Sequence, residues 1–222
     1  MAIGDTTPAG AAPSPRERRR RNREQVLAAI LDAARSVMRE RGVAGLSLRE
    51  VARRVSMQAP SLYEYFPSKA ALYDALFLAG FHLFRERMLG ALEGPGTFWA
   101  RIEAGFEAYM GFAREHPDLY QLVFEHPVPG FAPSEETMAE GRPLLDRLTE
   151  QIAEAIERGE IAPGLSPAQT RDLLIAMQHG LTSQHLANDV GAPPGGGRYG
   201  ALIGPAIALF RASWTPHHGG RS

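Results

Sequence analysis

The chain has 222 residues, 44% of them hydrophobic and none of them cysteine. That suits one or two packed domains and excludes disulfides, thiol nucleophiles, thiolate zinc sites and iron–sulfur clusters. The net charge of −1 hides an asymmetry: residues 1–70 carry 13 Lys and Arg against 7 Asp and Glu, while residues 71–222 carry 11 against 18. A basic front and an acidic back point to two tasks, with a polyanion as partner of the front only. No apolar run is long enough to cross a membrane, and no apolar segment follows the early basic run, so we expect neither a membrane span nor a secretory signal.

Residues 1–15 are rich in Pro, Ala, Gly, Ser and Thr without periodicity and read as a disordered tail. Six of the eight residues 16–23 are arginine. Alone, this run reads equally as a solvated tail or as a nucleic-acid contact. An apolar face follows at Leu27, Ile30, Leu31, Ala34, Val37 and Met38, in helical steps of three and four. Arg39, Arg41 and Gly42 supply the stop.

Ser47 and Glu50 stand at capping-box spacing, opening a short helix with Leu48, Val51, Ala52 and Val55 on one side. Residues Ser56 to Ala59 interrupt it, and Pro60 starts a third helix whose Leu62 and Phe66 face inward with Met57. Pro67 ends that helix. Ser68 caps a fourth, containing Leu72, Leu76, Ala79 and Leu83. Further helices are predicted at 97–115, 117–125, 134–159, 167–190 and 198–214, with Gly- and Pro-rich breaks between them. No alternating strand pattern is present, so the fold class is all-α.

Two short helices around a tight turn, behind a basic helix, form a helix-turn-helix. A B-DNA major groove accepts one helix, and the second braces it. The inserted helix needs apolar anchors inward (Leu62, Phe66) and polar groups outward (Gln58, Ser61, Tyr63, Tyr65). Lys69, at the start of the fourth helix, is placed to hold a phosphate by charge and helix terminus together.

The stretch Leu46–Val55 followed by Ser56-Met-Gln-Ala-Pro-Ser-Leu-Tyr-Glu-Tyr-Phe-Pro-Ser-Lys69 resembles the TetR family of bacterial regulators. The spacing of Leu62, Tyr63, Phe66 and Lys69 carries the resemblance, which extends over residues 24–80. Where the family usually has Gly in the turn, this chain has Ser56. The resemblance implies a homodimeric repressor, with a DNA-binding domain at 16–67, an effector-binding and dimerisation domain at 68–215 and a flexible tail at 216–222. It implies DNA contacts by Ser47, Arg49, Gln58, Ala59, Pro60, Ser61, Tyr63, Tyr65 and Lys69, with Arg49 reading a base. The expected partners are an operator duplex, a small-molecule effector and a second copy of the chain, in the cytoplasm.

The back half offers wide or polar-tipped side chains for an effector pocket: Trp99, Phe106, Tyr109, Met110, Tyr120, Phe124, Met177 and His179. His179-Gly180 resembles a His-Gly pair found in one C-terminal domain type of the family. Residues 168–188 and 199–214, rich in small and apolar side chains, are the expected dimer contact. The histidines lack metal-ligand spacing. There is no phosphate loop or acid–base pair, so no catalytic residue, metal or cofactor is expected. The rival readings are an all-α enzyme and a protein-interaction module or ligand carrier without specific DNA binding.

Overall fold

The computed structural model describes residues 14–189 and 191–215; of the tails expected at 1–15 and 216–222, residues 1–13 and 216–222 lie outside them, while Ser14 caps and Pro15 opens the first helix. The described residues are helical, without strands, in the order α1 Pro15–Arg41, α2 Leu48–Arg54, α3 Ala59–Tyr63, α4 Lys69–Leu92, α5 Phe98–Glu115, α6 Pro117–Tyr120, α7 Glu135–Ala139, α8 Arg142–Glu157, α9 Pro167–Asn188, α10 Gly197–Gly200 and α11 Ile203–Trp214.

Helix α1 starts earlier than the sequence suggested. Ser14 caps it: its Oγ accepts from the Glu17 N–H at 3.3 Å, and its own N–H donates to the Glu17 carboxylate at 2.6 Å. Pro15 occupies the first helical position, where its missing N–H costs nothing. Residues 16–23 form the first two turns of a 27-residue helix. Ile30, Ala34, Val37 and Met38 are its buried stripe.

The capping box expected at α2 is not made. Ser47 accepts no hydrogen bond from the helix, and Glu50 turns instead to Arg53 and Arg54. Three competing guanidinium groups surround Glu50, counting Arg41 at 3.7 Å, and charge-assisted bonds outweigh a neutral backbone cap.

Two expected helices are each broken in two. In the 134–159 segment Pro143 has no N–H for the Ala139 carbonyl, and Gly141 is a weak helix former, so α7 ends and α8 restarts. In the 198–214 segment Pro205 likewise leaves the Ala201 carbonyl without its bond, separating α10 from α11. After α6 the chain widens into one π-helical turn, Gln121–Glu125, which ends at His126 in a left-handed conformation.

Helices α1 to α3 wrap one end of the core and α4 joins it to the rest. α4 packs along α5, α9 lies against α5 and α8, and α11 closes the far side of α5. The junction between the two halves is polar. Asp118, at the start of α6 and 3% exposed, receives Arg35 of α1 at 2.8 Å, with Arg39 at 3.7 Å. The Arg35 guanidinium also reaches His116 Nδ1 at 3.1 Å. Burial and the neighbouring Arg35 charge push the His116 imidazole below its ordinary pKa, so it serves as a neutral acceptor.

Candidate nucleic-acid interface and effector cavity

The turn between α2 and α3 is built on Ser56, whose φ is +55°. This is the conformation that glycine adopts without cost, and here a serine holds it. The Met57 N–H reaches back to the Ala52 carbonyl at 2.9 Å and closes the turn. α3 is then fixed from beneath by Leu62 at 1% and Phe66 at 6% exposure. Met57 is half-buried against the same core.

With those anchors inward, Gln58, Ala59, Pro60 and Tyr63 are exposed at the start of α3 and along its outer side, and Ser61 is half-exposed. Arg49, on the outer side of α2, is exposed and makes no hydrogen bond or ion pair with a described residue. Ser47 lies half-buried beside it. Tyr65 departs from the expected outward position. It is half-buried, and the Arg23 guanidinium sits 5.1 Å above its ring, tying the basic turn of α1 to the end of α3.

Lys69 opens α4 as expected, but its ammonium has partners already. It donates to the Ala44 carbonyl at 3.2 Å and lies 5.3 Å over the Tyr73 ring. Its charge is thus held beside the α4 N-terminus rather than free to swing. Arg53 and Arg54 are spoken for by carboxylates: Arg53 by Glu50 at 2.7 Å, Arg54 by both Glu50 and Glu40. Hydrogen bonds from Arg53 and Arg54 hold the Glu50 carboxyl down to a pKa of about 2. This network braces α1 against α2, leaving Arg49 and the Arg16–Arg23 turns as the outward charge.

The second half encloses a cavity of about 550 Å3 between α4, α5, α8 and α9. Its walls are Phe77, Phe81, Phe84, Met88 and Leu92 of α4, Val123 and Phe124 of the π turn, Met138 of α7, Leu144, Leu145 and Leu148 of α8, and Ile175 of α9. Polar lining comes from Tyr109, Thr137, Arg142, Gln178 and His179. Of the expected pocket residues, Tyr109, Phe124 and His179 reach the cavity. Tyr120 stands behind His179, its hydroxyl 3.2 Å from Nδ1, with the Tyr109 hydroxyl at 3.0 Å from the same nitrogen.

Burial, reinforced by Tyr120, pushes the Tyr109 phenol far above its ordinary pKa, and burial pushes Tyr120 up to about 12, so both stay protonated. The other four expected residues lie elsewhere. Phe106 and Met110 are buried on other sides of α5, Trp99 packs on Trp214 at 5.9 Å, and Met177 is on the outer face of α9. The spacing of Phe77, Phe81, Phe84 and Met88, in steps of four, three and four, is the signal that marks the cavity wall the sequence reading missed.

The helices expected to meet a second copy carry exposed apolar side chains: Leu173 and Met177 on α9, Leu202 just before α11, and Leu209 on it, the last 68% exposed. Among the described residues there is no cluster of metal-ligating side chains, and no helix is long and apolar enough to cross a membrane.

This is a helix-turn-helix protein with a larger helical domain behind the motif. The family model described as bacterial regulatory proteins, tetR family, matches residues 30–76, and the tetracyclin repressor-like C-terminal domain matches residues 102–199. The chain belongs to the TetR family. The HTH-type transcriptional regulator Rv1816 of Mycobacterium tuberculosis is 29% identical over 147 residues, covering 65% of this chain and 63% of the relative. The matched stretch thus spans less than two thirds of that relative's length. Among solved structures, a Rhodococcus sp. RHA1 protein of unknown function is 25% identical with a TM-score of 0.72, covering 86% of this chain and 96% of its own. FadR from Bacillus subtilis, in complex with stearoyl-CoA, shares the fold at 19% identity and a TM-score of 0.65, covering 84% and 98%.

Proposed function

We propose that the protein is a ligand-responsive transcriptional regulator, a homodimeric cytoplasmic repressor released from its operator when a small molecule fills the cavity. The observation that carries this reading is the presentation of α3: Leu62 and Phe66 hold it from within, while Gln58, Ala59, Pro60 and Tyr63 face outward. Residues 16–67 are the DNA-binding unit and residues 68–215 the effector and dimerisation unit. Arg49 reads a base edge, and Ser47, Ser61, Tyr63, Tyr65 and Lys69 position the helix on the phosphates. The exposed apolar side chains of α9 and α11 pair with those of a second copy. That pairing sets two α3 helices about 34–36 Å apart, one turn of duplex.

Effector binding acts as a population shift. A ligand that prefers the dimer geometry with mismatched spacing draws the protein off its operator in proportion to that preference. The Arg35–Asp118 contact is a polar link between α1 and α6, which leads into the π turn that supplies Val123 and Phe124 to the cavity wall. FadR's bound stearoyl-CoA supports an apolar organic effector for a cavity of this kind.

The test is fluorescence anisotropy of the full chain on a duplex selected from a random library, titrated with salt. We expect affinity to fall steeply with salt and the selected duplex to be preferred over a scrambled one. Equal affinity for both duplexes refutes sequence-specific binding. Sedimentation equilibrium reads the dimer, and a monomer at micromolar concentration refutes that part.

A further inference from the structure

The geometry points to an amphipathic organic anion as the molecule that fills the cavity, its apolar body inward and its anionic head at Arg142 on the rim. This rests on the reading of the cavity as an effector site and adds the charge and orientation of the effector.

Arg142 is the only formally charged residue among those lining the cavity. It is exposed and makes no hydrogen bond or ion pair with a described residue. Its neighbours in the same half are engaged: Arg85 with Glu140 at 2.9 Å, and Arg147 with Glu93, Glu150 and Glu154 within 3.8 Å. An exposed guanidinium at the edge of an apolar hollow, with no carboxylate on the lining, is a ready partner for one anionic group.

The inner, α5–α9 side offers an anion nothing comparable. His179 Nδ1 is already engaged by two tyrosine hydroxyls, Tyr109 at 3.0 Å and Tyr120 at 3.2 Å. Gln178 gives one amide N–H to the Gly105 carbonyl at 2.8 Å, leaving an oxygen and a second N–H but no charge. Glu125 is near enough for its charge to raise both phenol pKa values, as a second anion there would. A carboxylate buried there would lose its hydration without gaining a cation. The apolar walls instead take a hydrocarbon or aryl body. Free fatty acids and acyl thioesters of coenzyme A share this chemistry, and the experiment separates them.

Isothermal titration calorimetry of the full chain with decanoate, decanol and decanoyl-CoA compares wild type, Arg142→Ala, Arg142→Glu and, as a remote exposed control, Arg114→Ala. We expect at least one anion to bind wild type tenfold or more tightly than decanol, the preference shrinking as salt rises. Arg142→Ala erases that preference while leaving decanol affinity unchanged; Arg142→Glu reverses it; Arg114→Ala changes nothing. Preference for decanoate alone identifies a free acid, and preference for decanoyl-CoA alone identifies the thioester. Equal binding of acid, thioester and alcohol by wild type, or a preference that survives in Arg142→Ala, overturns the charged-head assignment and leaves the cavity as an effector site. No binding of any of the three by protein with intact helical circular dichroism overturns the effector reading itself.

Discussion

Unpaired arginine is clustered in the front half of the molecule and scattered in the back. In the back, Arg85, Arg87, Arg147, Arg158 and Arg171 are each paired with a carboxylate within 4 Å, and the described arginines without such a partner, Arg142 at the cavity rim among them, are spread over four helices. In the front, Arg35, Arg53 and Arg54 are paired, but Arg49 and most of the Arg16–Arg23 turns face solvent without an acidic partner. A paired guanidinium is neutralised at short range and adds little field. An unpaired one projects charge over a distance set by the Debye length. The chain's net charge is near zero, yet one end is equipped for a polyanion and the other is not.

The largest effect that sharpens this contrast is at the junction. Replacing Asp118 by Ala leaves Arg35, only 16% exposed at its side chain, without its carboxylate. We expect a loss of about 3–5 kcal/mol in urea unfolding. A loss below 1 kcal/mol shows that the junction is as solvated as the surface pairs. Next, Arg49→Ala is expected to cost about 1–3 kcal/mol of discrimination at a single base step, with thermal stability unchanged. Lys69→Ala weakens all duplexes alike, and a selective loss at one base pair assigns it a reading role instead.

Ser56→Gly relieves a positive φ and is expected to raise stability by up to about 1 kcal/mol. A drop instead means the serine hydroxyl contributes more than the strain costs. Arg147→Ala, on the paired surface of the back half, should change stability by less than about 1 kcal/mol despite its three carboxylates.

The smallest expected change is a pH effect. Arg53 and Arg54 depress Glu50 to about 2, so its contribution is complete above the unfolded carboxyl value of about 4.3 and disappears as pH falls through about 2. The stability gap between wild type and Glu50→Gln therefore stays constant above pH 5 and closes below it. A gap that persists at pH 2 in chemical denaturation contradicts the ion-pair origin.

How far the sequence could be read follows the same division. The helix-turn-helix was legible because its signals are local: Leu62 and Phe66 four apart, Pro60 at a helix start, Ser68 at a cap that the Ala71 N–H does use at 3.0 Å. The Ser47 cap was misread because Glu50 has partners that only folding brings near, Arg41 among them. The cavity was harder. Tyr109 and Trp99 are both aromatic residues of α5, yet one lines the cavity and the other packs on Trp214. Residue type gives the capacity to fill space, not the face that is left empty. The Arg35–Asp118 pair spans 83 residues of sequence and leaves no local trace.

Helix α1 runs unbroken for 27 residues, about 40 Å. Arg35 clasps Asp118 near one end of this rod, and the six arginines of 16–23 crowd the other. A tilt of α1 about this clasp would sweep the far tip through several times the displacement felt at Asp118. A rearrangement of α6 passed on through Arg35 would be geared up mechanically before it reached the charged extremity.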